Sequence, residues 1–234
     1  MPASTLGKFI AGFERFRQDY FGGNHELFDR LRLGQNPDAL VIACCDSRSD
    51  PALITSCSPG DLFVVRGVAN LVPPYEPDDG HHGVSAAIEY AVLGLKVEHV
   101  VVLGHSQCGG IGALVDGGVQ GAGGEFIGRW MSICQAEVRA VLEATRGEPD
   151  AVRRRACEQA AILVSLRNLM TFPWVRERVE TGRLCLHGWY FDIRRGELWA
   201  YSPEDLRFRS LVNAGSWNRT AHDGQSQGRS ETQG

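Results

Sequence analysis

The sequence predicts a single α/β domain with a mostly parallel central β-sheet flanked by helices, an N-terminal helical arm and a C-terminal β-hairpin. Three observations carry this. Leu40 to Ala43, Phe63 to Val65 and Val100 to Leu103 are short apolar, partly β-branched runs ending in polar or glycine residues, as expected for strands buried on both faces. Between the last two, apolar residues at 84, 87, 88, 91, 92 and 95 follow a helical period, so the order is strand, helix, strand: a βαβ unit. At 234 residues the chain is long enough for one large α/β domain with an ample core.

Phe9, Phe13 and Phe16, with Phe21 close behind, recur at roughly helical spacing and predict an amphipathic N-terminal arm over residues 1–30, its apolar face seeking a neighbouring subunit. The domain proper is expected over 31–217. Within it, Glu125 to Glu143 and Asp150 to Met170 read as two longer amphipathic helices separated by the breakers Gly147 and Pro149. Pro173 opens a short helix that Gly182 ends. Leu184 to Asp192 and Glu197 to Tyr201, joined across Arg194, Arg195 and Gly196, read as the closing hairpin. Gly117 to Gly124 is a glycine-rich loop, and residues 218–234, rich in Gly, Ser, Gln and Arg, are expected to be a disordered tail. There is no internal repeat.

Composition narrows the partners. A hydrophobic share of 43% and a charged share of 22% are ordinary for a globular protein. The net charge of -4 gives no polyanion footprint, and the densest basic run, Arg153 to Arg155, sits in a mixed stretch, so nucleic acid is not an expected partner. No apolar run reaches membrane-spanning length, and no membrane association is expected. The first twenty residues lack a signal-peptide pattern. Seven cysteines, an odd number without framework spacing, favour a reducing compartment, with the cytoplasm as the default.

Chemistry concentrates where two strands end: Cys44-Cys45-Asp46-Ser47-Arg48 after the first, and His105-Ser106-Gln107-Cys108-Gly109 after the other. In open parallel sheets the crevice at the carboxyl ends of the strands is the usual ligand site, so both clusters point into one pocket. Two thiolates and an imidazole supply three of zinc's four tetrahedral positions and leave one open, which suits catalysis rather than a structural staple. Spacing alone does not choose between Cys44 and Cys45.

From about Gly34 to Phe208 the chain resembles the β-class carbonic anhydrases, particularly their plant-type branch. The family's Cys-x-Asp-x-Arg pattern matches Cys44, Asp46 and Arg48, and its His-x-x-Cys-Gly pattern matches His105, Cys108 and Gly109. Further matches are Phe63 to Arg66, Ala69 to Tyr75, Ala86 to Val92, Ser165-Leu166 and Asn168-Leu169. The resemblance implies a carbonate dehydratase with one zinc per subunit, held by Cys44, His105 and Cys108, that interconverts carbon dioxide and bicarbonate through zinc-bound hydroxide. It assigns Asp46 and Arg48 to catalysis: two thiolates cancel the metal's formal charge, so a nearby acceptor gains value, and Arg48 keeps Asp46 ionised and off the metal. It assigns Gln35, Phe63, Val68 and Tyr90 to the substrate pocket, formed in the plant-type enzymes at a dimer interface, so a homodimer or an assembly of dimers is expected.

Several features set the chain apart. Another branch has Trp where this chain has Val41, and there the Asp displaces water from zinc, so an open site is expected here. Cys45, Ser49 and Gly67 replace the family's usual Ser, apolar residue and Asn. His81 and His82 are candidate proton relays. Two other readings are hydrolysis of carbonyl sulfide or carbon disulfide at the same site, and a noncatalytic zinc-binding assembly protein, the latter disfavoured by the intact Asp46 and Arg48.

Overall fold

The computed structural model describes residues 3–23, 25–117 and 125–211. Six strands, β1 (Ala39–Cys44), β2 (Leu62–Gly67), β3 (His99–His105), β4 (Cys185–Asp192), β5 (Glu197–Ser202) and β6 (Arg207–Ser210), form one sheet in the order β2-β1-β3-β4-β5-β6. The first four are mutually parallel, and β5 and β6 add antiparallel. Among the described residues eight α-helices accompany them: α1 (Ala3–Phe21), α2 (Glu26–Leu31), α3 (Pro51–Thr55), α4 (Gly83–Glu89), α5 (Gly109–Val115), α6 (Ile127–Ala144), α7 (Asp150–Leu169) and α8 (Pro173–Glu180). The predicted α/β class and βαβ order are therefore present.

The central strands carry uninterrupted apolar runs, Ala39 to Cys44 in β1 and Val100 to Leu103 in β3, because both faces are covered. Leu40, Ile42, Val100 and Val102 pack toward Ile162 and Leu169 of α7, whereas Val41, Ala43, Val101 and Leu103 face Ile54, Trp189 and Phe191. Each fully buried Leu or Ile contributes roughly 1.5–3 kcal/mol. β2 departs from the expectation of burial on both faces: it is an edge strand, with Val64 39% exposed. Its β-branched residues satisfy strand propensity without requiring two covered faces.

Other differences have local causes. The helix expected to Leu95 is α-helical only to Glu89 and continues as a π-helical segment, Tyr90–Leu95. The closing hairpin is extended by β6, where Phe208 is the sole apolar residue, too weak a pattern to read. The short α3 follows Asp50, whose carboxylate caps the Ala52 and Leu53 amides, with Pro51 in the first turn. In the N-terminal arm, Phe16, Tyr20 and Phe21 meet Phe28 of α2, while Phe9 and Phe13 remain 63% and 64% exposed. Most of the Gly117–Gly124 loop and all of the 218–234 tail lie outside the described residues.

Helix α7 fixes the sheet end from which the chemistry projects. A Cβ on Gly104 would stand 2.7 Å from the Ile162 side chain, and one on Gly188 would stand 3.0 Å from Ile162 and Leu166, so these glycines let the helix lie close to β3 and β4. Ser165 Oγ donates to the Asn70 carbonyl (3.0 Å) and accepts from the Val72 amide (3.1 Å), and Asn168 Nδ2 donates to the Val72 carbonyl. These bonds tie the segment after β2 to the same helix. Gly104→Ala is expected to destabilise the protein by about 1–3 kcal/mol through overpacking against Ile162, measured by urea unfolding.

Candidate metal centre

Parallel register brings the two polar clusters to one end of the sheet. Cys44, the last residue of β1, pairs with Gly67, and Ala43 pairs with Leu103, two residues before His105 at the end of β3. The ligand atoms of Cys44, His105 and Cys108 lie within 4.8 Å of one another, and all three residues are buried. Cys45, the next side chain on an extended backbone, points away and is exposed. Of the two cysteines that spacing left open, Cys44 is the one that joins this group.

Each ligand candidate is aimed by its surroundings. His105 Nδ1 donates to the Ser106 carbonyl at 2.9 Å, which fixes the tautomer and leaves Nε2 with its lone pair. That Nε2 is buried and has no hydrogen-bond partner, as expected of an atom positioned for a cation. Ser106 ties β3 to β4, its amide donating to the Phe191 carbonyl and its Oγ accepting from the Ile193 amide. Gln107, in left-handed conformation at φ 59°, turns the chain so that Cys108 faces back toward Cys44.

The two thiols are in contact, and each sets the other's charge. Cys44 is held far below the ordinary thiol range, chiefly by its hydrogen bond with Cys108 and against the effect of burial. Cys108 is pushed up by that same contact and by burial. The pair therefore resists a second negative charge, and a divalent cation removes the penalty. Two sulfurs, an imidazole nitrogen and burial form a donor set that fits zinc with one position open.

Asp46 stands at the mouth of this group, with Oδ2 3.9 Å from His105 Nε2. Arg48 grips it in a fork, Nε donating to Oδ1 at 2.9 Å and Nη2 to Oδ2 at 2.8 Å, while the Arg48 amide donates to Oδ1. These bonds hold the Asp46 carboxyl below the usual carboxylate range. Arg48 also donates to the Gln107 carbonyl, joining the two strand ends.

The departures from the family pattern have physical accommodations. Ser49 is fully buried, and its amide and hydroxyl both donate to the Asp46 carbonyl. Trp130 packs where a Gly67 side chain would begin, 3.3 Å from an added Cβ, and donates from Nε1 to the Val68 carbonyl. Val68 packs in the apolar cluster containing Cys44 and Cys108. The remaining pocket candidates lie elsewhere in the subunit. Phe63 is four residues back along β2 from the Gly67 level, about 13 Å. It pairs rings with Tyr90, which is 54% exposed and lines a surface depression with Gln35. His82 Nε2 pairs with Asp78 on an exposed loop.

Sequence reasoning missed Glu158 and Ala69. Glu158 is buried behind Cys108, and its signal was a charged residue among Ala161, Ile162, Ser165 and Leu169 on the inward face of α7. Ala69 adopts φ 59° and directs its amide toward Cys44, a conformation with no mark in the sequence.

A parallel α/β sheet with a buried cysteine, histidine, cysteine group at its carboxyl end and an arginine-clamped aspartate beside it defines a metal-dependent enzyme. Comparison with known proteins gives the class. Residues 39–198 match the family model described as carbonic anhydrase. A carbonic anhydrase of Pseudomonas aeruginosa is 42% identical over 203 residues, covering 87% of this chain and 90% of that protein. One from Synechocystis is 39% identical over 199 residues, covering 84% and 71%. Among solved structures, the β-carbonic anhydrase CcaA superposes with a TM-score of 0.80 at 35% identity, covering 88% of this chain and 92% of that one. Two tetrameric β-carbonic anhydrases from Sordaria macrospora are represented at a TM-score of 0.65 and 29% identity, covering 89% and 94%.

The chain belongs to the carbonic anhydrase family, in its β class. It is a zinc enzyme that interconverts carbon dioxide and bicarbonate, and the hydrolase and noncatalytic readings are not favoured. Among the described residues, no helix is long and apolar enough to cross a membrane. Replacing Cys44 with Ala is expected to reduce zinc from one per subunit to near none in metal analysis of the purified protein, whereas Cys45→Ser should keep full occupancy.

Proposed function

We propose that Cys44, His105 and Cys108 hold the zinc, that Asp46 is the catalytic residue beside the reacting oxygen, and that Arg48 positions Asp46. The observation that carries this is the buried, unpartnered Nε2 of His105 facing two thiols, with the Asp46 carboxylate 3.9 Å away. Zinc bound there supplies the Lewis acid that makes water a nucleophile near neutral pH.

The protein's own groups do the rest. Asp46, kept ionised, accepts a hydrogen bond from the attacking water and turns a lone pair toward carbon dioxide. Its Oδ1 takes two bonds from Arg48 and its Oδ2 one, so Oδ2 has the greater spare capacity to accept. Arg48 prevents the carboxylate from swinging onto the metal, because that movement would break the fork. Val68 forms an apolar wall beside the ligands, where an uncharged linear substrate loses little by leaving water.

The substrate pocket is completed in a homodimer. Gln35, Phe63 and Tyr90 cluster near the open edge strand β2, away from the Cys44 group of their own subunit, and so are available to a partner's site. There the Gln35 amide would hold a substrate oxygen, with Phe63 and Tyr90 as apolar walls. In this reading residues 1–30 act as an arm, 31–217 as the catalytic domain and 218–234 as a tail. Seven unpaired cysteines support a cytoplasmic setting.

Stopped-flow hydration of carbon dioxide by the zinc-loaded protein tests the reading. Fast, chelator-sensitive turnover is expected, with Asp46→Asn retaining zinc but losing at least about 100-fold in rate. An Asp46→Asn protein with full activity would refute the assigned role. Mixing separately purified Asp46→Asn and Gln35→Ala proteins, then allowing subunit exchange, is expected to restore activity that neither possesses alone; no gain would sink the shared pocket.

A further inference from the structure

Glu158 is a carboxylate buried in the middle of α7, 6% exposed, and among the described residues it forms no ion pair with an Arg or Lys, although His105 lies near enough to attract it. An unpaired carboxylate in such a place is costly and calls for a specific set of donors. It has them. Oε2 accepts from the phenolic hydroxyl of Tyr190 at 2.7 Å, and Tyr190 is itself 1% exposed on β4. Oε1 accepts from the Cys108 amide at 3.3 Å, and the Gln107 amide also faces the carboxylate.

Those two amides belong to the turn between His105 and Cys108. Gln107 holds a left-handed conformation that a non-glycine residue adopts only when its surroundings impose it, and Cys108 must then leave that turn at φ −65° to enter α5. Within the turn, His105 Nδ1 holds the Ser106 carbonyl, which leaves the Gln107 and Cys108 amides to other partners. Arg48 holds the turn from outside through the Gln107 carbonyl, and Glu158 receives its amides from inside.

We infer that Glu158 is a positioning residue of the zinc site, a buried acceptor braced by Tyr190 that holds the Gln107 and Cys108 amides and so aims the Cys108 sulfur at the metal. The inference rests on the assignment of Cys108 as a ligand. The bonding pattern also states what must be preserved: an oxygen acceptor toward the amides and a polar partner for Tyr190. Glutamine at 158 meets both needs, with its carbonyl toward the amides and its amide group donating to the phenolic oxygen. Leucine meets neither.

The test loads cobalt(II) into the full-length wild type, Glu158→Gln and Glu158→Leu, recording the thiolate-to-cobalt absorption bands and the dissociation constant by chelator competition. Wild-type bands and an affinity within about threefold are expected for Glu158→Gln. Glu158→Leu is expected to shift the bands and weaken binding by about 10–100-fold, the range typical of groups that orient metal ligands. A general loss of stability would not move the spectrum of the folded protein. Wild-type bands and affinity in folded Glu158→Leu would overturn the proposal, as would equal losses in both variants, which would show that accepting the amides is not what matters. If Glu158→Leu does not fold, Tyr190→Phe carries the test: several-fold weaker cobalt binding is expected, and unchanged affinity overturns the bracing role. A wild type lacking thiolate bands altogether would instead refute the ligand assignment.

Discussion

Two thiols that would each be a metal ligand cannot both ionise in a dry pocket without a cation between them. Here the conflict is explicit, because the charge that stabilises itself on Cys44 is what keeps Cys108 protonated. The fold adds a third, neutral donor, His105, whose tautomer is fixed by the Ser106 carbonyl, so that a cation can be held between the two sulfurs without further negative charge. Everything else at the carboxyl end of the sheet follows from holding those three atoms together: the parallel register that ends β1 and β3 side by side, the left-handed Gln107 that folds Cys108 back, and α7 pressed against Gly104.

Electrostatic balance extends outward in layers. Zinc and two thiolates sum to no formal charge, so an ionised Asp46 would give the site a net negative charge, and Arg48 supplies the counter-charge while remaining 46% exposed at the side chain. The exposed position costs the arginine little desolvation, and its fork geometry gives the aspartate a defined orientation. Behind the metal the arrangement is reversed. Glu158 is buried, neutral donors surround it, and its role is directional.

Much of this was legible from sequence because the information is local. Uninterrupted apolar runs mark β1 and β3, and strand ends with Cys44, Asp46 and Arg48 or His105 and Cys108 announce their chemistry by composition and place. What stayed hidden depends on tertiary contact. β2 has the same residue types as the interior strands yet lies at an edge. β6 has one apolar residue and forms because β5 offers it a partner. The backbone of Ala69 and Gln107 is left-handed without glycine, imposed by the segments they touch. Family resemblance grouped Val68 with Gln35, Phe63 and Tyr90 by role, whereas in a single subunit Val68 stands with Cys44 and Cys108 and the others stand near β2.

The open edge of β2 has a cost in the life of the chain. Among the described residues no strand pairs with its outer backbone groups, Val64 is partly exposed on it, and the exposed ring of Tyr90 packs against Phe63 at its start. An unpaired, apolar strand edge is a template for adding any other extended chain. If the proposed homodimer covers that edge, a newly folded subunit is most vulnerable in the interval before its partner arrives. Crowded synthesis shortens the search for the right partner and multiplies the encounters with wrong ones, so the same surface that would complete a neighbour's pocket also sets how fast the protein can be made without aggregating.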